Sequence, residues 1–81
     1  MEETVIQAPS LVSRLITEFF GGSQSEASRH FKTTRQAIHA WVQRGFLPAS
    51  RVFEAEKATA GQITAEEFMD EFISKNPNLA L

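Results

Sequence analysis

The 81-residue chain contains no cysteine, which excludes a disulfide framework, a thiolate metal site and a redox pair. Aspartate is nearly missing too, with Asp70 alone, and the histidines are His30 and His39. No glycine-rich phosphate loop is present. Two isolated imidazoles without an adjacent carboxylate or thiolate do not make a metal site. The expectation is therefore a protein that is not an enzyme and needs no metal or other cofactor. Apolar runs are only a few residues long, so no segment is suited to span a membrane. The opening MEETVIQAPS lacks the basic and apolar regions of a signal peptide, which points to the cytoplasm. The length suits one small domain with one core, and a 42% hydrophobic share suits a folded chain.

The formal net charge is −2, but the charge is unevenly placed. Residues 1–23 carry Arg14 against Glu2, Glu3 and Glu18. Residues 24–51 carry Arg29, Lys32, Arg35, Arg44 and Arg51 against Glu26 alone. Residues 52–81 set Lys57 and Lys75 against Glu54, Glu56, Glu66, Glu67, Asp70 and Glu71. A polyanion senses the local field, because salt screens charges beyond about 8–10 Å. The middle of the chain is thus a basic segment between acidic flanks.

That basic segment carries the most specific pattern. QSEASRHFKTTRQAIHAWVQ, residues 24–43, reads as two short amphipathic helices joined by a tight turn. The first is buried through Ala27 and Phe31. The second repeats Ile38, Trp41 and Val42 within one arc at about 100° per residue. Arg35, Gln36, His39, Ala40 and Gln43 fall on the opposite arc. A guanidinium, two carboxamides and an imidazole can read base edges in a DNA major groove. The pattern predicts a helix-turn-helix. Trp41 shares the arc of Ile38 and Val42, so core packing is expected of it, not base stacking.

Around this unit the sequence predicts an all-α, compact five-helix bundle with a domain at 9–75. Residues 1–8 are expected as a flexible arm and 76–81 as a tail. Ser10 is suited to cap a first helix carrying Leu11, Val12, Leu15, Ile16, Phe19 and Phe20, which Gly21-Gly22 stops. Ser23 with Glu26, and Thr64 with Glu67, form capping-box patterns. Pro48 stands at the start of a fourth helix presenting Val52, Ala55 and Thr59. The fifth runs from Ala65 to about Ser74 before Asn76-Pro77 breaks it. Gln62-Ile63-Thr64 is the one stretch that could pair briefly as a strand.

Residues 22–68 contain Gln24 opening the first helix of the motif, Arg35-Gln36-Ala37-Ile38 with Trp41, and Arg44-Gly45 followed by Pro48. Glu56, Ala58-Thr59, Gly61, Ile63-Thr64 and Glu66-Glu67 continue the pattern. This stretch resembles small phage and prophage repressors of the Cro type, the YdaS-like proteins among them. The resemblance implies a lambda-repressor-like DNA-binding fold in a bacterial or phage-infected bacterial cell. It also implies operator DNA as the partner and Gln24 as a phosphate grip. Lys32 stands where such motifs usually have glycine, so a retained turn would make it left-handed at about 1 kcal/mol of strain. The apolar run Phe68-Met69 and Phe72-Ile73 also departs from the usual ending.

Arg35 and Gln36, at the start of the recognition helix 34–44, are the first candidates for base contacts, since Arg suits guanine and Gln suits adenine. His39 and Gln43 lie further along the same face, as base contacts or alternatively phosphate contacts. Gln24, Lys32, Thr34, Arg44 and Arg29 are candidate phosphate contacts. Phe68, Met69, Phe72 and Ile73 form a stripe expected either at a homodimer interface or against the domain itself. The leading expectation is a transcriptional regulator, a Cro-like repressor of a phage or prophage switch with no small-molecule ligand. The alternative is an antitoxin-like or other protein-interaction module built on the same bundle.

Overall fold

The computed structural model of the chain describes residues 10–76; the expected arm 1–8 and all but the first residue of the expected tail lie outside them. Helix α1, Leu11–Arg14, begins at Ser10, whose Oγ accepts from the Ser13 amide at 3.1 Å. It runs on as a π-helical turn, Leu15–Phe19, where the sequence predicts plain α-helix. The wider turn leaves the Ile16 carbonyl to accept from both Phe20 and Gly22 amides, at 3.2 and 2.8 Å. One carbonyl of the helix end thereby takes two donors and ties the Gly21-Gly22 turn to the helix.

Helix α2 spans Gln24–Phe31 and α3 spans Arg35–Arg44. Ser23 caps α2 through the Glu26 amide at 3.1 Å, but the expected box is only half made. The Ser23 amide already donates to the Phe20 carbonyl at 2.9 Å, and the Glu26 carboxylate pairs with Arg29 at 2.7 Å. Between the helices Lys32 adopts φ 54° and ψ 49°, the left-handed conformation expected if the turn is kept. Thr34 caps α3 by accepting from the Ala37 amide at 3.0 Å.

A 3₁₀ turn, Ala49–Arg51, follows Pro48 and leads into α4, Val52–Ala58. Helix α5, Ala65–Lys75, opens on a complete Thr64–Glu67 capping box. Between α4 and α5, buried Thr59 donates to the Ile63 carbonyl and accepts from the Ile63 amide, at 3.1 and 3.0 Å. This fixes a sharp reversal in which residues 62–64 form no strand. All regular elements among the described residues are helical.

The core draws on every helix: Val12, Leu15 and Ile16 from α1 and its π turn, Ala27 and Phe31 from α2, Ile38 and Trp41 from α3, Val52 and Ala55 from α4, Phe68 from α5. Phe31 sits edge-on to Trp41, with ring centroids 5.6 Å apart. Trp41 is therefore a core residue, as its helical arc predicts. Phe68 is fully buried in the same core, which removes it from the expected dimer stripe. Its position four residues after Thr64 turns it inward once the capping box sets the helix start. Met69 packs against the core, Phe72 meets the Phe46 ring at 5.6 Å, and Ile73 alone of the four is exposed.

Three polar clips join elements distant in the chain. Arg51 donates to the Phe31 carbonyl at 2.8 Å, closing the C-terminus of α2, and pairs with Glu54 at 2.9 Å. Glu71 on α5 accepts from the Leu11 amide at 2.8 Å, at the start of α1. Lys75 donates to the Gly45 carbonyl at 3.0 Å, just past the end of α3. Gly45 has φ +83°, and a Cβ there would stand 2.5 Å from the Lys75 ammonium. Gly45→Ala should therefore cost about 1–2 kcal/mol for the left-handed backbone, plus displacement of Lys75. Urea denaturation checks this, and the cost should fall in a Lys75→Ala background, where the steric part is gone. A Gly45→Ala protein as stable as the parent would mean that residue 45 is not held left-handed.

Candidate nucleic-acid interface

The turn between α2 and α3 is only Lys32–Thr34, so the N-terminal ends of the two helices are held in a fixed relation. Gln24 opens α2, and Arg35, Gln36 and His39 occupy the first two turns of α3. These four side chains line one open cleft of about 300 Å³. Arg35, Gln36 and His39 are exposed, while Gln24 is half-buried. The inward arc of α3, Ile38 and Trp41, anchors this face from behind. Arg35 and Lys32 make no ion pair among the described residues, so both charges stand open to solvent.

The remaining candidates divide. Gln43 is exposed on α3 but does not line the cleft. Thr34 commits its oxygen to the helix cap. Arg29 is exposed yet ion-paired to Glu26. Arg44 lies over the Phe46 ring, 5.0 Å from its centroid, at the far end of α3 from the cleft. Arg51 contributes to the basic segment by count, but its guanidinium is spent inside the fold on the Phe31 carbonyl, on Glu54 and above Trp41. No local spacing announces that role, because its partner Phe31 lies twenty positions away.

The order of α2, a three-residue turn with one left-handed residue, and α3 has the form of a helix-turn-helix. Its polar residues converge at the start of the second helix, and the class is a small all-helical domain built around that unit. Residues 12–72 match the family model described as bacterial toxin YdaS, and the chain belongs to that family. No curated protein and no solved structure gives a significant match. No helix among the described residues is long and apolar enough to cross a membrane.

Proposed function

We propose that the chain is a sequence-specific DNA-binding transcriptional regulator that sets α3 into the major groove of operator DNA, in the manner of a Cro-like repressor. The observation that carries this reading is the cleft where Gln24, Arg35, Gln36 and His39 meet. Its two-pronged groups suit base edges, and the α2 N-terminus beside it suits a phosphate. Lys32 in the turn adds a charge on the expected path of the sugar-phosphate rail. The test is a gel-shift series on DNA upstream of the chain's own gene at increasing salt. Binding should weaken steeply, with a log–log slope on the order of −4 for four or five neutralised phosphates.

The family's description as a toxin favours a second reading, in which the bundle acts on a partner protein. Exposed Phe53 on α4 supports it, since a large apolar side chain in solvent is commonly part of a contact surface. Absence of any shift with upstream DNA at low salt would overturn the first reading in favour of this one.

A further inference from the structure

Helices α4 and α5 enclose a second cleft of about 300 Å³ that shares no residue with the first. Its walls are Val52, Phe53, Ala65 and Met69, and its rim carries Glu66 and Asp70. Phe53 is 69% exposed, although Val52 beside it and Ala55 one turn on are buried. Ile73, one turn beyond Met69, is 40% exposed and prolongs the apolar line along α5. An aromatic anchor, an apolar trough and a continuing stripe on a neighbouring helix are the parts of a helix-in-groove site.

The rim says what kind of helix fits. Glu26, Glu18 and Glu54 pair with arginines, Glu67 caps α5 and Glu71 caps α1. Glu66 and Asp70, like Glu56 outside the groove, have neither an ion pair nor a side-chain hydrogen bond among the described residues, and of these three they are the two at the cleft. Both sit in the segment 52–81, where acids outnumber bases by four. A two-fold pairing of copies centred on this trough would bring these two carboxylates toward their own counterparts, and like charges across an interface disfavour association.

We infer that the α4–α5 groove is a docking site for a cationic amphipathic helix of a different protein, one that sets an apolar residue against Phe53 and Met69 and lysine or arginine opposite Glu66 and Asp70. The site is independent of the DNA-binding reading. A partner could therefore engage the groove while the α3 cleft is occupied.

The probe is a designed helical peptide of leucine and lysine at amphipathic spacing, titrated into the full chain and followed by amide chemical shifts. Shifts should concentrate at Val52, Phe53, Ala65, Glu66, Met69 and Asp70, and binding should weaken with salt. Phe53→Ser should reduce affinity about tenfold or more without unfolding the chain, because the side chain is already in water. Asp70→Asn should reduce it less and flatten the salt dependence. A matching peptide with glutamate in place of lysine should not bind. The inference is overturned if the glutamate peptide binds equally, if Phe53→Ser leaves the lysine peptide's affinity unchanged, or if shifts spread over all acidic residues alike. It is equally overturned if sedimentation finds a homodimer that Phe53→Ser dissociates, which would make a second copy the occupant.

Discussion

Phe31→Ala should cost about 3–5 kcal/mol, whereas Phe53→Ala should change stability by no more than about 0.5 kcal/mol. Both are phenylalanines on short helices, and burial alone separates them: Phe31 is 1% exposed and Phe53 69%. Removing the Phe31 ring opens a void beneath Trp41 and Phe20, whose centroids lie 5.6 and 5.9 Å from it. The ring also holds the end of α2 where Arg51 closes the Phe31 carbonyl, so collapse around the void would disturb that clip. A small domain has a total stability of about 5–15 kcal/mol, and its melting point moves by about 4–8 °C per kcal/mol. Phe31→Ala should therefore melt at least about 12 °C lower, or be unfolded at room temperature. Far-ultraviolet circular dichroism during heating measures both variants. Equal losses from the two would mean that Phe31 is not a core residue.

The difference between these two phenylalanines marks where the sequence is legible. Helix starts and stops are written in local chemistry. Ser10, Ser23, Thr34 and Thr64 each cap the helix that spacing predicts, and Gly45 stops α3. The α3 face is legible for the same reason, since one helical period and a three-residue turn decide where Arg35, Gln36 and His39 stand relative to Gln24. What depends on the packing of distant helices is not written locally. Arg51 reads as one more positive charge until the 3₁₀ turn before α4 is seen to place it at the end of α2. Glu71 reads as part of an acidic face, yet it meets an amide sixty positions earlier. The inward arc Val52, Ala55 and Thr59 puts Phe53 off the buried face, but nothing in that period says that no other helix would cover it there. Phe68 and Met69 form an unbroken stripe with Phe72 and Ile73, and only assembly shows which of the four the domain itself absorbs.

Arg35→Ala should relax base preference at one operator position by about 1–3 kcal/mol, while Lys32→Ala should weaken all DNA sequences together and lower the salt slope by roughly one unit. The two side chains are three residues apart and both exposed, with no ion pair to release before binding. Their positions differ in kind. Arg35 is the first residue of α3 and lines the cleft with Gln36 and His39, so its planar fork is presented with other groups able to match one base pair. Lys32 lies in the left-handed turn, outside the cleft, and its ammonium can neutralise a phosphate without distinguishing one base from another. Arg51→Ala is the informative control. By sequence charge it should reduce the salt slope as Lys32→Ala does. By structure it should leave the slope nearly intact and instead destabilise the fold by about 1–3 kcal/mol, because the Phe31 carbonyl loses its donor. All three variants would be assayed against a library of single-substitution operators at fixed salt, with slopes taken on the parent operator. A preference profile unchanged by Arg35→Ala, or reshaped by Lys32→Ala, would reverse the roles given to the cleft and the turn. A slope reduced by Arg51→Ala in a protein of unchanged stability would return that arginine to the surface proposed to face DNA.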